Sequence, residues 1–187
     1  MLRELSRSIV SVVLLTIVLC GAYPLVVWAI GQAAFHDRAQ GSLVRVDGRV
    51  VGSSLIAQAF TGPRYFHPRP SAAGYAADAS AGSNLGPNSS DLAREVGRRL
   101  RVTATLEGVA PAAVPVDLVT TSGSGLDPDI SRAAALVQVA RVARTRSLDP
   151  TRVRQLVMTR VNSPTMGLLG TTRVNVLDLN LALDALR

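Results

Sequence analysis

The segment from Ile9 to Gly31 constrains this chain more than any other. It reads IVSVVLLTIVLCGAYPLVVWAIG and contains no charged residue. At 1.5 Å per residue, a helix of this length covers roughly 35 Å, which is enough to cross a bilayer. A cleaved signal peptide is the alternative, but its apolar region is usually only about 7 to 15 residues long. The sequence therefore favours one transmembrane helix over residues 9–31, preceded by a short tail, residues 1–8.

Small residues, a proline and the flanking charges add detail to this span. Pro24 lacks a backbone N–H and predicts a kink. Gly21 and Ala22 are small enough for a neighbouring helix to approach closely, which makes them candidate partner-binding residues. The arginines and the terminal amine before the span slightly outnumber the arginines just after it. This difference favours a cytoplasmic N-terminus and an extracytoplasmic soluble domain, residues 32–187.

The composition predicts one small α+β domain after the span. The chain has 187 residues, of which 48% are hydrophobic and only 4% aromatic, so the core must be built mainly from Val, Leu and Ala. Cys20, the only cysteine, lies within the span, which excludes a disulfide or a cysteine metal site in the soluble part. His36 and His67 are the only histidines and lack ligand spacing, so no metal is expected.

The basic side chains exclude several classes of protein. The net charge is +7 and there is no lysine, which excludes a Walker A phosphate loop and a Schiff-base enzyme. One uncharged span cannot enclose a polar pore. The arginines are scattered and no aromatic residue follows Tyr75, so nucleic acid is not an expected partner, whereas membrane lipid is. We expect a protein with no catalytic residues and an accessory role.

Turn and capping signals place the first elements of the domain. Asp47-Gly48 within SLVRVDGRVVGS predicts a hairpin with a two-residue turn. Residues 53–87 are rich in Gly, Pro, Ser and Ala and also contain four aromatic residues, so we expect an ordered but irregular segment. Asn88 and Ser89 can cap the helix that follows.

The second half of the domain repeats one capping pattern. VPVDLVTT, residues 114–121, alternates apolar and polar side chains and predicts a short strand. Leu126-Asp127-Pro128 and Leu148-Asp149-Pro150 each predict a helix with Asp as the N-cap and Pro at the first position. The C-terminal stretch passes from a short β-like VNV into an amphipathic segment.

The Ser/Gly run before Leu126 allows three interpretations. It could offer successive N–H groups to an anion ahead of a helix N-terminus, although Asp127 would repel an anion there. It could hold a serine nucleophile with His67 as base, although the G-x-S-x-G spacing is absent. The favoured interpretation is a turn between strand and helix whose glycines permit positive φ. The anion candidates are Ser122, Gly123, Ser124 and Gly125.

The aromatic stretch YFHPRPSAAGY, residues 65–75, contains the second set of candidates. Tyr65, Phe66 and Arg69 could bind the surface of a partner. They could instead belong to a loop that packs on its own domain, and this alternative is favoured because loops rich in Pro and aromatic residues often pack on themselves.

Six segments in a fixed order after one span resemble a known family. They are GSSLIAQAF (52–60), YFHPRPSAAGY (65–75), GSNLGP (82–87), VPVDLVTTSGSGLDP (114–128), QVARVARTRSL (138–148) and RVNVLDLNLALD (173–184). This pattern, which covers nearly the whole chain, is similar to the C subunit of the Kdp-type potassium-transporting ATPase. Two local departures are Ala57, where the family usually has Gly, and Thr171-Thr172, where it has Glu-Pro.

The resemblance implies a bacterial inner-membrane complex. In it, a channel-like subunit selects potassium, a P-type ATPase subunit hydrolyses ATP, and a very small subunit stabilises both. The C subunit assists assembly and acts as a catalytic chaperone that raises ATP affinity, so the resemblance also implies ATP binding. The residues agree only in part, because the chain lacks a phosphate loop and an extracytoplasmic domain would not meet cytosolic ATP. If the domain is outside, its assistance is more simply explained by binding to the channel-like subunit near the outer potassium entrance.

The alternative function is that of an independent membrane-tethered module that binds an anion or nucleotide.

Overall fold

The N-terminal helix forms a unit of its own. The structure, a computed structural model, describes residues 1–186 and divides into two units, Met1–Leu43 and a second that begins at Val44. Helix α1 (Leu2–Thr16), a π-helical segment and helix α2 (Tyr23–Ala34) follow without a break. Together they span Leu2–Ala34 with a mean hydropathy of 2.5, and by length and composition this helix can cross a membrane, a test that a signal sequence would also pass.

A π-helical segment, Ile17–Ala22, lies just before Pro24, and the kink predicted at this proline stays a prediction. In an α-helix the N–H of residue 24 would bond to the carbonyl of Cys20, and proline has no N–H to donate. The wider π turn just before the proline adapts the hydrogen-bond ladder to this gap. Gly21 and Ala22, the predicted packing residues, both lie in this segment.

A β-hairpin and an irregular segment begin the second part of the chain, after the short helix α3 (His36–Ala39). Strands β1 (Leu43–Val46) and β2 (Arg49–Ser53) pair with each other. Their turn has φ of 49° at Asp47 and 76° at Gly48, which confirms the predicted two-residue turn. No helix or strand is assigned in residues 54–89, as expected for that segment.

Helices and one small sheet build the rest of the domain. Helix α4 (Ser90–Glu107) is capped by Ser89, whose hydroxyl accepts the N–H of Leu92, and it ends at Gly108 with a φ of 69°. The sheet is antiparallel with the order β3-β5-β4. The remaining elements are β3 (Asp129–Ser131), α5 (Arg132–Val137), α6 (Val139–Arg146), α7 (Pro150–Thr159), β4 (Val161–Asn162), β5 (Arg173–Asn175) and α8 (Val176–Asp184).

The strand predicted for residues 114–121 is wrong. The chain there makes a 3₁₀ turn, Val116–Leu118. Pro115 cannot donate to a sheet ladder. Asp117 instead reaches across to Ser131, accepting its N–H at 2.7 Å and its hydroxyl at 3.1 Å. These bonds, which join distant parts of the sequence, replace the strand that local alternation predicted.

Only one of the two predicted Asp-Pro helix starts is confirmed. Asp149 accepts the N–H of Thr151 at 2.8 Å and Pro150 is the first residue of α7. At the other start, Asp127 accepts the N–H of Asp129 at 3.0 Å, but the chain then forms strand β3. Pairing of β3 with β5 delays the helix until Arg132, so the predicted start at Asp127 is wrong.

The core is aliphatic and lies where the helices meet the inner face of the sheet. Ile130, Val142, Val153, Val174 and Leu179 are almost wholly buried in it. The mixed helices and sheet after one apolar helix confirm the α+β prediction. Phe66 is the one aromatic residue in this core among the described residues, and it comes from the irregular segment.

Candidate functional site

The aromatic stretch is fixed to the core through its backbone. We call residues 63–67 the clamped segment. The Asn180 side chain of α8 accepts the N–H of Phe66 at 2.8 Å and donates to its carbonyl at 3.0 Å. Gln138, between α5 and α6, does the same for His67 at 2.8 and 3.2 Å. Two buried amide side chains thus replace a neighbouring strand and satisfy the backbone of this segment.

A buried ion pair also holds the clamped segment. The Nε of Arg141 lies 3.0 Å from both carboxylate oxygens of Glu107, and both side chains are only 2% exposed. The same guanidinium donates to the carbonyls of Pro63 and Tyr65 and to Oε1 of Gln138. Burial raises the pKa of Glu107, and the positive charge of Arg141 opposes that rise. The pair therefore joins helices α4 and α6 to the clamped segment.

Tyr65 lies at the edge of the clamped segment, beside an open cavity of about 660 Å³. The guanidinium carbons of Arg146 and Arg64 lie 4.9 and 5.8 Å from its ring centre. Arg146 also pairs with Asp184 at 2.6 Å. Tyr65 remains partly accessible at this edge, whereas the side chain of Phe66 packs in the core and is not exposed.

Arg69 has partners within the domain. Its guanidinium donates to Asp127 at 3.1 Å and to the carbonyl of Thr121 at 3.3 Å. For Arg69 and Phe66, these contacts correspond to the packing alternative of the sequence analysis. Partner binding by Tyr65, Phe66 and Arg69 stays a prediction, and Tyr65 is more accessible than the buried Phe66.

His67 faces a groove of about 610 Å³ between the irregular segment and helix α4. Its Nε2 lies 3.0 Å from the carbonyl of Gly62, a bond that requires a proton on this nitrogen. Burial lowers the pKa of His67 below 6.5, the Gly62 bond opposes this effect, and the charge of Arg141 adds to it. Arg98, Arg99 and Glu107 also line the groove.

The lowered pKa of His67 predicts a loss of stability on mild acidification. As the pH falls below 6.5, His67 takes up a proton in the unfolded chain before it does so in the folded chain. The contribution of neutral His67 to the free energy of unfolding is therefore complete above pH 6.5 and is lost below it. We expect His67→Gln to weaken the fall in unfolding midpoint between pH 7.5 and 5.5, measured by urea denaturation of the full chain in detergent. His36→Gln is the matched control. If His67→Gln showed the same pH dependence as the wild-type chain, His67 would not be the cause of the fall in stability.

The Ser/Gly run is a packed corner. Ser122 donates to the carbonyl of Pro70, and the N–H of Leu126 bonds to the hydroxyl of Ser124. Gly125 has a φ of 69°, and a Cβ there would lie 2.5 Å from the carbonyl of Ala81, so this position requires glycine. Strand β3 follows the run, so the helix N-terminus expected to help hold an anion is not there. Anion binding by Ser122, Gly123, Ser124 and Gly125 stays a prediction without that support.

The structure does not bring together the residues of the other candidate sites. Ser124 is not among the residues that line the groove of His67. Within residues 1–186, no group of three or more His, Cys, Asp or Glu side chains could hold a metal ion. In the N-terminal unit, apart from the chain neighbours of Gly21 and the backbone of its own helix turn, no atom of the described residues lies within 4 Å of the position that a Cβ of Gly21 would take.

Comparison with known proteins identifies the family. A sequence model described as "KdpC: K+-transporting ATPase, c chain" matches residues 5–185. The chain belongs to the KdpC family. A relative from Sorangium cellulosum is 54% identical over 192 residues, covering 100% of both chains. A relative from Methylorubrum extorquens is 52% identical over 98% of this chain and 97% of its own. Both relatives are named "Potassium-transporting ATPase KdpC subunit".

The residues that hold the clamped segment were not predicted from the sequence. Gln138, Arg141 and Asn180 were not among the candidate residues that the sequence indicated. A signal was present, because Gln138, Arg141 and Val142 fall on one helical face and Val142 is apolar. It was too weak to predict a buried arginine, since arginine is usually exposed unless it is paired, and its partner Glu107 lies 34 positions away.

Proposed function

We propose that the chain is a single-span accessory subunit of an ATP-driven potassium uptake complex in the bacterial inner membrane. The observation that carries this proposal is the family match over residues 5–185. The helix Leu2–Ala34, which among the described residues is alone in being long and apolar enough to span a membrane, supports it. The N-terminus lies in the cytoplasm and the α+β domain lies outside, on the extracytoplasmic surface of larger subunits.

In this proposal the helix docks between larger subunits through its π-helical segment. The space around Gly21 would let a neighbouring backbone approach closely, and Ala22 widens the small-residue surface. The soluble domain has no catalytic role. Its buried polar side chains support this, because Gln138, Arg141 and Asn180 use their hydrogen bonds to hold backbone, one another or Glu107.

Assistance to ATP use is indirect in this proposal. The chain lacks lysine, and three N–H groups of the Ser/Gly corner, those of Ser122, Gly125 and Leu126, already have intramolecular partners. We therefore infer that the chain binds no ATP itself. It raises the ATP affinity of the P-type ATPase subunit by stabilising its assembly with the channel-like and small subunits, with the domain near the outer potassium entrance.

A nucleotide titration separates this proposal from a tethered anion-binding or nucleotide-binding module. Purified full-length chain in detergent is titrated with ATP by calorimetry. The proposal expects no saturable heat. Saturable binding that is lost in Gly125→Ala but kept in Gly74→Ala, another glycine with positive φ, would favour the module.

The helix contact gives a second test. Gly21→Leu fills the space left by the missing side chain and is expected to lower the amount of larger subunits recovered with the tagged chain by roughly tenfold or more. Ala29→Leu adds a leucine side chain elsewhere on the same helix and is the control. Equal recovery with both variants would overturn the proposed helix contact while leaving membership of the complex intact.

A further inference from the structure

The most exposed apolar side chains of the soluble domain lie together at one tip. We call residues 163–171, which lie in the connection between β4 and β5, the tip hairpin. Met166 is 88% exposed and Leu168 is 86% exposed, more than any other large apolar residue described from Val44 onwards. Leu169 beside them is 66% exposed. Isolated apolar residues on a surface are ordinary, but three within four positions at one tip need a reason.

The tip hairpin has a defined backbone. Thr165 donates to the carbonyl of Leu169 at 2.8 Å, and Leu169 donates back at 3.0 Å. Met166 and Gly167 turn the chain with φ of 55° and 74°. A positive φ is unfavourable for methionine, which has a side chain beyond Cβ. The turn thus holds Met166 and Leu168 in water at some conformational cost, and an unpartnered surface loop gains nothing from this arrangement.

The chemistry of the tip argues against a lipid surface as its partner. Residues 161–172, VNSPTMGLLGTT, contain no charged and no aromatic residue. Segments that bind a membrane interface usually carry Trp or Tyr together with Lys or Arg. Arg173 at the base pairs with Asp129 at 3.0 Å, which reduces its attraction for anionic headgroups.

The size of the tip argues against a second copy of this chain. A stable interface buries about 800 Å² on each partner. Three side chains at a hairpin tip cover only part of that area, so two tips alone could not hold a dimer. A tip of this kind suits a wider contact with one larger partner, in which it fills a recess and neighbouring surfaces provide the remaining area.

The surface next to the tip can provide such an extension. Thr171 and Thr172, at the base of the hairpin, line the same cavity as Val116, which is 69% exposed. This cavity has a volume of about 540 Å³. The base of the tip hairpin and the exposed Val116 side chain of the 3₁₀ turn therefore border one cavity, which charged residues such as Asp117 and Arg173 also line.

We propose that the tip hairpin inserts Met166 and Leu168 into an apolar recess on the extracytoplasmic surface of a larger, multi-span subunit of the same complex. The proposal rests on the function proposed above and names the surface that makes the contact. Methionine adapts its unbranched side chain to an irregular recess, and leucine fills it. The partner is recognised by an apolar, uncharged pocket, because the tip itself has no charge to pair.

Photo-crosslinking tests this contact in the assembled complex. Benzoylphenylalanine is placed at Met166 or Leu168 of the tagged full-length chain, and at Val102 of α4 as a control that is 57% exposed. Cells that also produce the larger subunits are illuminated and the products are identified by mass spectrometry. We expect one larger subunit to be crosslinked from positions 166 and 168 and not from 102. Products with a second copy, with lipid alone or with nothing, while the larger subunits still co-purify, would overturn the proposal.

A substitution gives an independent readout. Leu168→Asp should lower recovery of the larger subunits by roughly tenfold or more, because it places a charge in an apolar recess. It should leave the unfolding midpoint of the isolated chain unchanged, since the side chain is exposed there. Val102→Asp is the control for recovery. Unchanged recovery with Leu168→Asp would refute the tip contact alone, whereas failure of the wild-type chain to recover any subunit would refute the proposed function as well.

Discussion

Replacement of Arg141 by methionine should destabilise the soluble domain by about 3–5 kcal/mol, the usual cost of breaking a buried ion pair by removing one partner. The change leaves the Glu107 carboxylate buried without its guanidinium and removes the donors to Pro63 and Tyr65. Urea denaturation of the full chain in detergent, followed by far-ultraviolet circular dichroism, measures the free energy of unfolding. We expect the clamped segment to become sensitive to protease in the same variant.

The control for this variant is Arg154→Met, which removes an exposed arginine of α7 and should change the free energy of unfolding by less than about 0.5 kcal/mol. Adding Glu107→Gln to Arg141→Met should restore part of the stability, because an amide is less costly to bury than a charge. If Arg141→Met lowered the free energy of unfolding by less than about 1 kcal/mol, the ion pair would not be what holds the clamped segment.

Phe66→Ala should cost about 3–5 kcal/mol in the isolated chain, since it empties a fully buried site in the core. The size of this loss separates the two interpretations of the aromatic stretch. A residue kept for a partner would affect recovery of that partner and leave the isolated chain stable. A residue that packs in its own core lowers the unfolding midpoint in the absence of any partner.

Phe35→Ala provides the matched control for Phe66→Ala. Phe35 is 55% exposed, so the same truncation there should change stability little. Equal unfolding midpoints for Phe66→Ala and the wild-type chain would contradict the buried position of Phe66 and return it to the set of partner-binding candidates.

The parts of the fold that local chemistry determines could be predicted. The hairpin at Asp47-Gly48, the cap at Ser89 and the Asp149-Pro150 helix start all depend on a few adjacent residues, and the structure has each of them. Asp127-Pro128 carries the same local pattern, yet pairing of β3 with β5 determines its structure. Local propensity therefore failed where a contact with residues distant in sequence decided the conformation.

The candidate site was predictable only in outline. The aromatic stretch could be identified from its composition, and its packing on the domain was the favoured alternative. The residues that hold it were not identified, because Gln138, Arg141 and Asn180 act on backbone atoms more than 70 positions away. A side chain that bonds to backbone leaves no complementary residue type in the sequence, so no pattern shows the pairing.

Membership of a potassium-transporting ATPase complex is tested by purification of the tagged full-length chain from its native membrane, in mild detergent, after growth at low potassium. We expect recovery of a large multi-span protein and a P-type ATPase, with ATP hydrolysis in the eluate that potassium stimulates. Recovery of the chain alone, without potassium-stimulated hydrolysis, would contradict its role as an accessory subunit of a potassium-transporting ATPase.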